Sequence, residues 1–564
     1  MSKKALTLLI SLIILIPIGI YFVAWDYYAI NIPKWDDHAL KAFIVEYVHA
    51  GTWQDKLKAL FKQHNEHRIA LDRFFAWLDF SIFGKLNYRH LMVIGNLLLL
   101  GVIPLWYVLL KNNKKPLFAL VPIPFIWLTL AFYENMYWGM AAIQNFGVIT
   151  LLLWTLYLCV QPKPFLFILS LILALLTIST SGNGILVFPV GAVMLFLSGD
   201  RKRLTAWCFL SLAGILAYFW TYTKPESNPA SKASLFQLAK GYMAFLGCFA
   251  ESIPVKDHFG ACVFMGIFLF LVAISIASAI LFRISTKKYA VKFEKITDLF
   301  CLGTILFILG TAVIVVYSRA GFGLEFLITS RYKIYSVLLL MVAYLYVVIP
   351  IRGSFLSPYI TAIIFLAITF NIFSYHYHLV DAYNLRKDLI TSQFNWTYNN
   401  KDLKPVIDTS FAGSIVSKTP VFYEKWLPHI DVADRQQYAG NSRALTELYG
   451  SIKFEKTGKS LIVDNASYVS QRLQDSGIYI LLSSDNCFYV FPTHRSRNNN
   501  RKELFLKQYY FAPGFHADIP FSEIEKGEYK IGIIRQQGDE TGILFQQDKI
   551  SVDHVTKNKV KVNW

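Results

Sequence analysis

Long apolar runs separated by short polar stretches fill the first two thirds of the chain. They fall at about 5–25, 91–110, 116–133, 146–160, 165–180, 184–198, 204–222, 259–282, 299–317, 334–350 and 357–374. A bilayer-spanning helix needs about 20 mainly apolar residues. These eleven runs therefore predict a polytopic α-helical membrane domain over residues 1–378. The stretch 165–198 is too long for one helix: its 34 residues would reach about 51 Å, against a hydrocarbon core of about 30 Å. Gly182-Asn183-Gly184 is the natural break and reads as a tight turn. After residue 378 the pattern changes. Residues 379–476 mix helical and loop signals, whereas 477–564 carries short strand-like runs at 477–482, 488–491, 529–534 and 542–545. That spacing predicts a small β-sandwich.

Composition sharpens the picture. Of 564 residues, 55% are hydrophobic and only 16% charged, where a soluble globular domain carries about 25%. The shortfall excludes one large soluble enzyme, a disordered chain and a fibrous repeat. The net charge of +18 is distributed by topology. With the N-terminus inside, the inner loops hold Lys111, Lys114, Lys115, Lys163, Arg201, Lys202, Arg203, Arg283, Lys287, Lys288, Lys292, Lys295 and Arg352. The only Lys or Arg residues of the short outer loops 134–145, 181–183 and 318–333 are Arg319, Arg331 and Lys333. This is the positive-inside bias of a multi-pass membrane protein, and the expected location is the bacterial cytoplasmic membrane. It leaves the long loops 26–90 and 223–258, and everything from 379 onward, outside. The first run, followed by Trp25-Asp26-Tyr27-Tyr28 and no small-residue cleavage site, reads as a retained signal anchor. The charge is that bias plus a basic tail, so no nucleic-acid partner is inferred. Of six cysteines only Cys487 lies in the C-terminal domain, which excludes an internal disulfide there, and no metal-type cysteine spacing occurs.

The eleven runs contain no Asp, Glu, Lys, Arg or His. That argues against a proton-driven pump, which places such residues at membrane depth. The charges and polar groups gather instead at the outer ends: Trp35-Asp36-Asp37-His38, then His64-Asn65-Glu66-His67-Arg68, Glu134-Asn135-Met136-Tyr137-Trp138 with Gln144-Asn145, Ser179-Thr180-Ser181-Gly182-Asn183-Gly184, Ser318-Arg319-Ala320-Gly321, and Ser330-Arg331-Tyr332-Lys333. A bundle would bring these ends together as a polar pocket at the membrane–water boundary. Nucleotide-activated donors are absent on that side, so group transfer there needs a donor already in the bilayer, such as a polyprenyl-phosphate sugar. The chemistry asks for a carboxylate to take a proton from the acceptor and for cations to hold the phosphate. Asp36, Asp37 and Glu66 answer the first need; Arg68, Arg319 and Arg331 answer the second.

The arrangement resembles the GT-C superfamily of integral-membrane glycosyltransferases. The acidic pair Asp36-Asp37 follows the first span, as in that superfamily. Over about residues 1–375 the chain is more closely similar to bacterial GT-C-like proteins with an Asn-Glu-His-Arg run (65–68 here), a Glu-Asn-x-x-Trp-Gly run (134–139) and a Ser-Arg-Tyr run (330–332). The resemblance implies an inverting transfer from a lipid-phosphate sugar to an extracytoplasmic glycan or lipid, with a first-loop aspartate as base. Asp37 is the expected base, and Asp36 would orient the acceptor or a cation. Arg68, Arg319 and Arg331 would bind phosphate; His64, Glu66, His67, Glu134, Gln144 and Tyr332 would line the substrate. The soluble-domain signature of oligosaccharyltransferases is not evident, so peptide N-glycosylation is not carried over. A divalent metal remains an open cofactor, although His64–Arg68 is not the His-Glu-x-x-His zinc arrangement.

Bland readings stand beside these. Asp36-Asp37 would cap the next helix. His64–Arg68 would lie on an amphipathic surface helix, with His64 and Arg68 on one face and Glu66 opposite. The arginines would be snorkelling anchors. Two other functions fit the pattern: a lipid-linked sugar flippase, and a non-catalytic anchor whose C-terminal domain binds glycan.

Overall fold

A computed structural model describes residues 2–224, 229, 231–286, 289, 292–399, 443–470, 477–537 and 540–553. Among the described residues, eight helices are long and apolar enough to cross a membrane: Lys3–Tyr28, Tyr88–Asn112, Leu117–Met136, Gly139–Cys159, His258–Ser285, Phe293–Phe322, Ser330–Val348 and Gly353–Asn395. Two shorter apolar helices, Pro164–Ile178 and Gly182–Ser198, and the 19-residue helix Arg201–Phe219 occupy the other runs. The protein is thus a polytopic helical membrane protein. Its first helix shows why the pattern reads so clearly. Ile10, Pro17, Tyr21, Trp25 and Tyr28 form one buried stripe, while Leu8, Leu12, Leu15 and Val23 are exposed on the other faces. Apolar side chains on every face suit a helix wetted by lipid on one side and packed on protein on the other.

The terminal helix Leu356–Asn399 has 44 residues and spans about 66 Å, twice the hydrocarbon core. It therefore continues beyond the apolar run 357–374 and carries the β domain. Among the described residues that domain has seven strands: β1 (Lys453–Lys456), β2 (Ser460–Asn465), β3 (Gly477–Ser483), β4 (Phe488–Pro492), β5 (Phe515–Pro520), β6 (Gly527–Gln537) and β7 (Glu540–Val552). They form two antiparallel sheets, β1-β2-β5 and β4-β3-β6-β7. The sandwich starts at 453 rather than 477. β1 escapes the sequence pattern because Lys453-Phe454-Glu455-Lys456 is an exposed, charged edge; β2, with Leu461 and Val463 buried, lies in the stretch read as mixed helix and loop. Segment 400–442, within the region read as mixed helix and loop, lies outside the described residues.

β3 is buried along its whole length. Ile478, Ile480 and Leu482 face the other sheet, while Tyr479 and Leu481 face the terminal helix through Leu389, Ile390 and Phe394. The helix also closes the sheet edge. The Asn395 carboxamide exchanges two hydrogen bonds with the Val490 backbone (2.7 and 2.9 Å), and Asn399 does the same with Phe488 (2.7 and 2.9 Å). Four residues of helix rise about 6 Å, close to the rise of two strand residues, so an i,i+4 pair of asparagines matches alternate residues of β4. Asn395 is thereby buried, although it begins an Asn-x-Thr glycosylation pattern. Ile30 and Ile32 of the first loop join the same cluster, tying the loop after the first helix to the β domain.

Candidate functional site

The first loop turns sharply at Lys34–Asp37. Trp35 has φ +44°, a left-handed conformation that costs energy for a large side chain. The turn is held by Asp37, whose backbone N–H donates to Lys34 O (2.9 Å). Its carboxylate accepts from the N–H groups of Lys34 (3.0 Å) and Met140 (2.8 Å). Asp37 is fully buried and does not line the cavity described below. Its expected role as base gives way to a brace: both oxygens are engaged by backbone. Asp36 occupies the N-cap position of the helix Asp37–His49 but makes no capping bond. Its carboxylate lies in the cavity wall, 3.8 Å from His64 Nε2.

Burial pushes the Asp37 carboxyl up to about 7, against the two N–H donors that pull it down. Burial also acts on Asp36, but His64, Arg331 and His67 outweigh it and hold Asp36 below the usual carboxylate range. A raised carboxyl in the folded state weakens folding as the unfolded chain ionises first. Asp37 should therefore cost stability progressively from about pH 4 to pH 7 and add no further slope above. Thermal unfolding of wild type and Asp37→Asn across that range should show the slope difference, and parallel curves would refute it.

Residues 64–68 are not helical. His64 and His67 exchange backbone hydrogen bonds (2.9 and 2.8 Å) around a tight turn, with Asn65 at φ +47°. Asparagine tolerates this conformation. The turn brings Glu66 onto Arg319 as an ion pair and sets His67 Nε2 3.8 Å from Glu66 Oε1. His67 Nδ1 accepts the Gly182 N–H (2.8 Å), which leaves the ring proton on Nε2. Burial pushes His67 down to about 4, in keeping with a neutral ring.

Arg68 does not face this site. Its guanidinium donates to the carbonyls of Tyr218 (2.9 Å), Phe61 (2.7 Å) and Trp220. It clamps the end of the helix Arg201–Phe219 onto the first loop, so the expected phosphate role is replaced by a structural one. Arg68→Met should destabilise the fold by about 1–3 kcal/mol while leaving lipid-phosphate binding of the folded protein unchanged. Scanning fluorimetry with a binding assay checks both.

The Glu134–Gly139 and Ser330–Tyr332 runs lock together. Glu134 N–H donates to Ser330 Oγ (3.2 Å), and Asn135 Nδ2 donates to Arg331 O (3.2 Å). Glu134 pairs with Lys34 (3.2 Å) and lies 3.6 Å from Arg331 Nε. Arg331 rests over the Trp138 ring at 5.4 Å. Gln144 sits in a π-helical turn, Ala142–Phe146, a rare wide turn that re-aims side chains.

These elements enclose a cavity of about 410 Å³. Asp36, His64, Glu66, His67, Gln144, Arg319, Arg331 and Tyr332 all line it. Glu134 does not; it reaches the cavity only through Arg331 and lines a second one of about 300 Å³. That second cavity lies between Lys34, Trp35 and Tyr133 and the β domain's His494 and Asp518. Neighbours Trp35 and Asp36 thus face different cavities across the strained turn. The main cavity also has an apolar flank from Phe219, Tyr222, Ile314 and Tyr317, and Tyr317 is 81% exposed. Trp138 and Asn183, from two of the outer-end runs, line it too, and Tyr218 and Tyr335 do so without having been expected there. For Tyr218 and Tyr335, which lie inside or beside apolar runs, the sequence carried no such signal. Among the described residues no group of three or more His, Cys, Asp or Glu side chains is placed to hold a metal ion. No family model, curated protein or solved structure matches the chain.

Proposed function

We propose that this protein is an inverting glycosyltransferase that moves a sugar from a polyprenyl-phosphate donor to an extracytoplasmic glycan or lipid acceptor. It sits in the bacterial cytoplasmic membrane with its N-terminus inside and its β domain outside, and all eleven apolar runs cross the bilayer. The supporting observation is the cavity: one carboxylate held ionised, two guanidiniums, and an apolar flank between membrane helices in a single enclosure. The polyprenyl chain enters along Phe219, Tyr222, Ile314 and Tyr317, and the phosphate meets Arg319 and Arg331. Asp36 takes the proton of the acceptor hydroxyl. The acceptor oxygen attacks the anomeric carbon from the face opposite the phosphate. The carbon–oxygen bond to phosphate breaks, and lipid phosphate leaves with the electron pair while the guanidiniums bear its developing charge.

The test supplies the protein, in lipid nanodiscs, with radiolabelled undecaprenyl-phosphate sugars and candidate acceptors. Release of undecaprenyl phosphate together with labelled acceptor is expected. Headgroup movement across liposomes with no turnover of any donor would replace this reading with a flippase. Neither turnover nor movement would leave a glycan-binding anchor.

A further inference from the structure

The nine-residue helix Trp53–Phe61 of the first loop lines neither cavity. Thr52 caps it, its hydroxyl oxygen accepting the Asp55 N–H (3.2 Å). Ala59 is its one buried residue. Trp53, Leu57 and Phe61 are 73%, 52% and 48% exposed. Residues four apart share a helix face, so these three form an apolar stripe turned away from the protein. Successive residues lie about 100° apart around the axis, which sets Lys56 and Lys58 on either side of the stripe and Asp55 nearly opposite Leu57. The Lys56 ammonium lies over the Trp53 ring at 5.5 Å. Lys62 follows at the helix end, so the segment carries three lysines against one acid.

The stripe is tied to the end of a second helix. The Arg68 guanidinium donates to the Phe61 carbonyl (2.7 Å), to that of Tyr218 (2.9 Å) and to that of Trp220. Leu57, Lys58, Phe61 and Lys62 form one wall of an open groove, and Ala217 and Trp220, where the helix Arg201–Phe219 ends, form the other. That helix exposes Phe209, Leu212, Leu216 and Phe219, three or four apart and so on one face, and Trp220 beyond them is 75% exposed. One apolar surface thus runs along Arg201–Phe219, through Trp220, onto the stripe. Apolar surface of this kind marks an interaction site. Tryptophans where a span ends suit the membrane–water boundary. Lys58 pairs with Asp55 at 3.6 Å and Lys62 with Glu46 at 2.9 Å, both on the surface, where such pairs hold weakly and yield to other anions.

Resting on the reading that Arg201–Phe219 crosses the bilayer, we infer that Trp53–Phe61 is an in-plane membrane anchor whose partner is a surface of anionic phospholipid. Trp53, Leu57 and Phe61 enter the boundary between headgroups and acyl chains, while Lys56, Lys58 and Lys62 reach the lipid phosphates. The anchor holds the first loop against the bilayer where the span ends.

The experiment reads single fluorescent labels on the full chain in nanodiscs of phosphatidylcholine, with and without phosphatidylglycerol. In a Cys208→Ser, Cys487→Ser background, Leu57→Cys and Asp55→Cys place labels on the two faces. With phosphatidylglycerol, the label at 57 should be quenched by nitroxide lipids and be about 5-fold or more less accessible to aqueous acrylamide than the label at 55. Pure phosphatidylcholine should give weaker shielding at 57, and Lys56→Gln, Lys58→Gln and Lys62→Gln together should remove the difference between the two lipids. Equal access at 57 and 55 overturns the inference, as does shielding at 57 without nitroxide quenching, which would mean that protein covers the stripe. Equal shielding in both lipids overturns the anionic partner. A label on the native, exposed Cys208 of Arg201–Phe219 separates the two readings. Quenching there by deep nitroxide lipids keeps that helix as a span whatever happens at 57; its absence overturns the span and the anchor together.

Discussion

Asp36→Asn should lower sugar transfer by about 10²–10⁴-fold, the range set by losing a positioned general base, with affinity for undecaprenyl phosphate little changed. Two neighbouring aspartates compete for the role, and the structure separates them by what their oxygens already hold. Asp37 accepts from two backbone N–H groups and is pushed up to about 7 by burial. Using it as a base would take apart the turn that shapes the loop. Asp36 makes no capping bond, lines the cavity and stays ionised beside His64 and Arg331. The expected contrast is therefore specific. Asp36→Asn gives a stable, lipid-binding, inactive protein; Asp37→Asn gives a protein of altered stability whose folded fraction still turns over. Transfer per folded molecule, measured for both variants against wild type, decides it. Full activity in Asp36→Asn would remove the base from this mechanism.

The membrane architecture was legible because lipid-facing helices are apolar on all sides, so composition alone marks them. Side-chain direction was not. Which member of Asp36-Asp37 enters the cavity depends on the left-handed Trp35 and on an N–H from Met140, about a hundred residues away. Helical spacing placed Glu66 opposite His64 and Arg68, yet one left-handed residue, Asn65, folds the segment into a turn and puts Glu66 on Arg319. Arg68 was expected to hold phosphate because it closes the Asn-Glu-His-Arg run at an outer membrane end; its partners are instead the carbonyl of Phe61, seven residues back, and two carbonyls 150 and more residues away. The meeting of Glu134–Gly139 with Ser330–Tyr332 was foreseen only as a shared membrane end, whereas their hydrogen bonds fix Arg331 to the cavity wall. Local pattern thus picked out residues that meet at one cavity, and long-range backbone contacts decide which of them face it.

Those contacts make Arg331 the cation whose loss should be felt most after Asp36. Its backbone is held by Asn135, its guanidinium lies over Trp138 at 5.4 Å and Phe326 at 5.7 Å, and Glu134 sits 3.6 Å behind it. Under the proposed mechanism such a group would meet the leaving phosphate without reorganising, which is where a fixed charge acts most strongly. Arg331→Gln should reduce kcat by about 10²–10³-fold and weaken undecaprenyl-phosphate binding. Arg331→Lys should recover only part of the loss, because an ammonium cannot fork onto two phosphate oxygens or stack as a guanidinium does. Arg319 is committed to Glu66 by an ion pair, so Arg319→Gln removes a phosphate contact and also frees a carboxylate at the cavity wall. Repulsion from that carboxylate should make its binding defect shrink as salt rises. The Arg331→Gln defect, by contrast, should persist across the same salt range, since Lys34 still neutralises Glu134. Donor affinity measured at 50 and 500 mM salt for both variants tests the distinction: equal salt responses would show that the two arginines do not occupy the different electrostatic settings argued here.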